Sequence, residues 1–260
     1  MNDTLVMKFG GAAVSSIEQF AKIADIIISR QKHYSRLIIV VSAMGETTNQ
    51  LIDLAKKVHP KPPQREYDML ISVGERISMT LLAMALCNKN VEAISFTGSQ
   101  SGIITCNNHT NAGIIEVRPF RIANCLEEGK IVIVAGFQGI STNKEITTLG
   151  RGGSDTTAVA LGLALGASKV EFFKDVPGVF DEDPKKCQSA IQYSEMTYQK
   201  ALEIVSRGAR ILHHRAIQLA EKNGLPLHVR SFIPSNHSNE GTLIIDPTIT
   251  RGTVPQYEEG

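Results

Sequence analysis

Residues 147–157 read Thr-Thr-Leu-Gly-Arg-Gly-Gly-Ser-Asp-Thr-Thr, which places an arginine, an aspartate and a glycine-rich turn side by side. An apolar run with a helical pattern, 158–165, follows at once. A glycine-rich loop that opens a helix presents free backbone N–H groups at the positive end of the helix dipole, and so makes an anion site. Arg151 and Asp155 inside the loop point to an anion held for chemistry. The plainer alternative is a turn capped by Ser154, with no ligand.

Other polar clusters fall where strands should end. They are Lys8-Phe9-Gly10-Gly11, Ser42-Ala43-Met44-Gly45, Gly136-Phe137-Gln138-Gly139 and Lys174-Asp175-Val176-Pro177-Gly178. Singly, each is an ordinary turn. Together they lie at the carboxyl ends of strands, where open parallel sheets gather ligands. No GxxxxGK[ST], no GxGxxG after the first strand, and no HExxH, GxSxG or Cys/His zinc spacing occurs. What remains is a phosphate-handling site made of glycine turns, a strand-terminal lysine and an Arg/Asp pair. The adjacent His213 and His214 read as capping or surface residues.

The elements that must position these groups alternate. Apolar, β-branched runs at 5–9, 37–41, 91–96, 131–135, 170–173 and 227–229 predict strands. Apolar spacing of three and four predicts helices at 17–29, 69–87, 118–127, 155–165, 195–206 and 213–222. The alternation predicts an α/β fold, a three-layer αβα sandwich around a largely parallel sheet. The proline patch at 59–63 reads as a surface loop, and the polar tail from Asp246 onward as a frayed end.

At 260 residues the chain can bury a large core. Its net charge of +1 gives no field to attract nucleic acid or an anionic membrane. No apolar stretch is expected to reach the roughly 20 residues of a membrane span. The start at Met1 shows no signal-peptide pattern, and four scattered cysteines without CxxC spacing read as free thiols, so a cytoplasmic enzyme is expected.

With these residues in hand, the chain resembles the aspartokinases of the amino acid kinase family. The resemblance rests on Lys8-Phe9-Gly10-Gly11, Val41-Ser42-Ala43-Met44-Gly45, Gly74-Glu75-Arg76-Ile77-Ser78, residues 147–158, and Lys174-Asp175-Val176-Pro177-Gly178-Val179. Asp183-Pro184 and Gly208-Ala209-Arg210-Ile211-Leu212-His213 complete it in the family's order. It implies ATP- and Mg²⁺-dependent phosphorylation of the side-chain carboxylate of L-aspartate, a step towards lysine, threonine and methionine. Lys8 would be the catalytic lysine and Asp155 the second catalytic residue. Because a carboxylate acceptor carries no proton at pH 7, Asp155 would orient Lys8 and not act as a base.

The resemblance also assigns Glu75 and Arg151 to the acceptor's α-ammonium and α-carboxylate. Ser42, Thr48, Gly153 and Ser154 complete that side. The bland alternative for Glu75 is a helix-surface glutamate paired with Arg76 or Lys57. Gly10, Gly11, Lys174, Asp175, Phe180, Asp183, Lys185 and Arg210 would serve the nucleotide, with 174–180 lining adenine and ribose and Lys185 and Arg210 near the phosphates. Here the chain departs from the usual pattern. Lys174 replaces a threonine, Phe180 a tyrosine, Ala12 a threonine and His214 a proline, while Lys185 and Arg210 exchange lysine for arginine and the reverse. Residues 1–246 form the expected kinase domain and 247–260 a tail without the paired ACT domains that aspartokinases generally carry. A stand-alone enzyme, possible homodimer included, is the resulting expectation. Another amino-acid or acidic acceptor, or a non-catalytic module binding ATP or an amino acid, remains the alternative.

Overall fold

A strand that is apolar on both faces is stable only between two layers, and the sheet strands of this chain meet that demand. The computed structural model describes residues 3–182, 184, 187, 189–233, 235 and 240–258. Its first half runs β1 (Thr4–Phe9), α1 (Ile17–Arg30), β2 (Arg36–Val41), α2 (Thr47–Val58), α3 (Gln64–Ile71), α4 (Val73–Cys87) and β3 (Ala93–Phe96). It continues through β4 (Ile103–Thr105), β5 (Ile114–Val117), α5 (Phe120–Glu127), β6 (Ile131–Ala135), β7 (Gln138–Ser141) and β8 (Ile146–Thr148). The rest is α6 (Gly153–Ala164), β9 (Lys169–Lys174), β10 (Glu195–Met196), α7 (Tyr198–Ser206), α8 (His214–Asn223), β11 (Leu227–Ser231) and β12 (Thr242–Ile244).

The main sheet has the order β10-β12-β11-β9-β1-β2-β6-β3, parallel throughout except where β12 runs antiparallel to β11. Alternation divides its side chains between two cores. Val6, Ile38, Val40, Val132, Val170 and Phe172 pack on the face covered by α5, α6, α7 and α8. Leu5, Met7, Phe9, Ile39, Ile133 and Phe173 pack on the opposite face, against α1 and α4. Helix α6 is buried from Gly153 to Leu163, which suits a helix apolar on every side. The αβα sandwich with a largely parallel sheet is therefore present.

Several expectations change. A second sheet, β5-β4-β7-β8, lies beside α3 and α6; its three- and four-residue strands are too short for a sequence period to declare. The helix expected at 69–87 starts at Gln64 and breaks at Ser72, whose carbonyl accepts a hydrogen bond from Gln138 Nε2 at 2.7 Å. The 64–87 stretch has the length and mean hydropathy of a membrane span, contrary to expectation. Its apolar side instead packs Met79, Leu82 and Leu86 on the sheet. The helix expected from Glu195 starts at Tyr198, because Thr197 caps it and Glu195–Met196 pair with β12. Helix α5 likewise begins at Phe120, after Pro119. Nor does the tail fray: Arg251 donates to the Ala167 carbonyl, and Asn223 exchanges two hydrogen bonds with Gln256. The cysteines are free, as expected.

Candidate active site

Strand alternation sets the site. Lys8 shares the parity of Val6, and Lys174 that of Val170 and Phe172, so both lysines leave adjacent strands β1 and β9 on the α6 face. The first turn of α6 supplies Asp155. Lys8 Nζ lies 2.6 Å from Asp155 Oδ1, with both side chains almost fully buried. The contact is ionic, without the alignment of a hydrogen bond. Asp155 Oδ2 accepts from the backbone N–H of His213 at 3.2 Å. Burial raises the Asp155 pKa, but Lys174, Lys8 and the His213 N–H outweigh it and hold the carboxyl at about 2. Lys174 is pushed below its usual value, chiefly by burial and against the pull of Asp155. Lys8 pairs with Asp155 directly, and the charge of Lys174 acts on it as well.

Across the cavity stands Glu75, 3% exposed, in the first turn of α4. Its Oε1 accepts from the Ala43 N–H at 3.1 Å, while buried Oε2 has no partner. The approach depends on Gly74, where a Cβ would lie 2.7 Å from the Ala43 methyl. Burial raises the Glu75 pKa to about 7, against the Ala43 hydrogen bond and the charge of Lys8. The surface pairing with Arg76 or Lys57 is not what is found.

Arg151 tops the loop between Gly150 and Gly152, both in the left-handed region at φ +74° and +70°. At Gly152 a Cβ would overlap the His213 ring, so the starts of α6 and α8 dock through this residue. Gly152, and not Ser154, is the N-cap.

Lys8, Glu75, Arg151 and Asp155 all open on a single cavity of about 530 Å³. Ser42, Thr48, Gly153, Ser154 and Gly11 line it too. The other described nucleotide-side residues stand outside its wall. Gly10 abuts Lys8 Nζ, Asp175 is exposed just past β9, Phe180 is half-buried and bridges Gln192, and Arg210 is exposed ahead of His213. Asp183 and Lys185 lie outside the described residues. Lys174, expected along adenine and ribose, stands close enough to Asp155 and Lys8 to feel both charges.

Sequence reasoning passed over Tyr67 and Asp68, and read Phe137 only as part of a strand-end turn. Tyr67 and Phe137 line the cavity, and buried Asp68 fixes the loop beside it by accepting from Thr148 Oγ1 at 2.6 Å and the Thr110 N–H at 3.0 Å. Asp68 lies just ahead of the helix expected at 69–87, and only the second sheet shows what it holds. Among the described residues no cluster of His, Cys, Asp and Glu could hold a metal ion.

A lysine–aspartate pair at strand and helix ends, facing a glutamate and an arginine across one cavity, defines a site for an anionic group beside an amino-acid-like molecule. The amino acid kinase family model matches residues 3–231, and the chain belongs to that family. It is 49% identical over 240 residues to an aspartokinase of Bacillus sp. strain MGA3, covering 92% of this chain and 58% of that protein. The structure of aspartate kinase from Synechocystis superposes with a TM-score of 0.84 at 40% identity, over 96% of this chain and 40% of that one. E. coli aspartokinase III, solved with aspartate and ADP, also gives 0.84, at 26% identity, over 95% of this chain and 66% of that one. The chain thus spans a little over half the length of the curated relatives it matches.

Proposed function

We propose that this chain transfers the γ-phosphoryl group of ATP to the side-chain carboxylate of L-aspartate. The observation that carries the reading is the opposed pair across the cavity. Glu75 Oε2, buried and without a partner, suits an α-ammonium, and the Arg151 fork suits an α-carboxylate. An amino acid held at both points presents its side chain to Lys8. The likeness to relatives named aspartokinase, one of them solved with aspartate and ADP, supports the same acceptor.

The chemistry that the residues support needs no base. The acceptor is already ionised, and Asp155, with a pKa of about 2, is too weak a base to compete for a proton. The obstacle is repulsion between two anions. Lys8 and Lys174 oppose it, together with the N-terminal end of α6. Asp155 keeps the two ammonium groups together in a buried place where they would otherwise repel. Mg²⁺ would arrive on the nucleotide's phosphates and supply charge neutralisation there.

Incubation with ATP, Mg²⁺ and hydroxylamine tests the reading, because an acyl phosphate is trapped as its hydroxamate. Aspartate should give the highest yield in a panel of amino acids. A higher yield from another acid would keep the phosphoryl transfer and change the acceptor. No hydroxamate from any of them would overturn the proposal.

A further inference from the structure

Arg215 rises from the first turn of α8 and takes no part in the cavity wall, yet its guanidinium joins three segments around the acceptor loop. Nη1 donates to the carbonyl of Leu149 and, at 3.3 Å, to Asn111 Oδ1. Nη2 donates to the Ala112 carbonyl at 2.9 Å. Nε and Nη2 also form a fork on the carboxylate of Glu258, at 2.7 and 2.9 Å. Glu258 is fixed in turn, since the Ile114 N–H donates to its Oε2 at 2.9 Å and its own N–H donates to the Ile114 carbonyl at 3.0 Å. Both charged side chains are less than one-fifth exposed.

Leu149 is the post of the acceptor loop. It is fully buried, its N–H donates to the Phe137 carbonyl, and the next residues are Gly150, Arg151 and Gly152. A loop of two left-handed glycines around one arginine has little stiffness of its own. Its aim depends on where the Leu149 carbonyl is held, and Arg215 is the side chain that holds it.

We propose that Arg215 and Glu258 are positioning residues for the amino-acid acceptor. Glu258 clamps Arg215, and Arg215 fixes the hinge from which Arg151 reaches the cavity. The inference rests on the kinase reading only for what Arg151 binds. Loss of the Glu258 charge would leave a largely buried guanidinium with weakened partners, and the strain would fall on its remaining bonds, the Leu149 carbonyl among them.

The test compares Glu258→Gln and Arg215→Lys with the parent chain by hydrogen exchange and by kinetics. Backbone exchange across 147–153 should quicken on the order of tenfold in each variant, as expected for loss of a charge-assisted hydrogen bond, with β1 and β9 unchanged. The KM for aspartate should rise by a similar factor while the KM for ATP stays put. A merely structural clamp would lower the melting temperature, speed exchange throughout and leave the ratio of the two KM values alone, and that result would overturn the proposal. Unchanged exchange across 147–153 would do the same. If the parent chain phosphorylates no acceptor, the exchange result still decides the clamp, and the kinase reading is what falls.

Discussion

Glu75 carries a cost that only a ligand can recover. Its folded pKa of about 7 lies above the usual 4.5, so between those values the folded chain keeps a proton that the unfolded chain has lost. Stability from this group is therefore highest at low pH and declines as pH rises from 4.5 through 7. Glu75→Gln keeps the shape, removes the charge and should stabilise the protein at pH 8 by about 2–3 kcal/mol, with the gain vanishing near pH 4. Urea melts at the two pH values measure the difference; an equal change at both would mean that the burial cost is misassigned. The same substitution should raise the KM for aspartate at least tenfold with little change for ATP, because only the acceptor's ammonium needs that charge. In the parent chain, the aspartate KM should climb as pH falls below 7. Asp155 behaves in the opposite sense. Its depressed pKa of about 2 contributes stability above pH 3.8 that is lost as pH falls through 2, outside any working range.

The elements differ in how openly the sequence declares them. Strands β1, β2, β6 and β9 read directly, because strands buried on both faces are unbroken apolar runs. Strands β4, β5, β7 and β8 did not, and with them went the role of Asp68. Lys8 and Asp155 were legible by resemblance, but the place of Lys174 was not, since only the pairing of β1 with β9 brings residues 8 and 174 together. Gly152 shows the same limit, because its necessity lies in the α8 start that it touches. Gly152→Ala should cost about 2–4 kcal/mol, the left-handed penalty plus the clash with His213. It should also lower kcat at least tenfold, because His213 can no longer hold its N–H against Asp155. Loss of stability with kcat unchanged would show that the α6–α8 junction serves the fold alone.

At the scale of the whole molecule, the main sheet separates two cores, and the cavity's charged groups gather where its central strands end. Glu75 and Arg151 reach the cavity from α4 and from the α6 loop, which lie on opposite faces of that sheet. Geometry across the cavity therefore depends on the layers on both faces staying in place, and the segment after β12 ties α8 to β5 and to the turn after α6. Asn223, near the end of α8, donates from Nδ2 to the Leu219 and Gln256 carbonyls, and its Oδ1 accepts from the Gln256 N–H at 2.8 Å. The side chain is almost fully buried, so its partners cannot turn to water when it is lost. Asn223→Ala should destabilise the protein by about 2–3 kcal/mol in urea, because the Gln256 N–H and carbonyl lose their partner together. A tail resting loosely on the surface would give under 0.5 kcal/mol, the ordinary effect of a surface change. Because Gln256 stands two residues before Glu258, the Asn223 variant should also lower the protection of the Glu258 N–H against exchange, whereas a tail held only by Arg215 would leave it as it was.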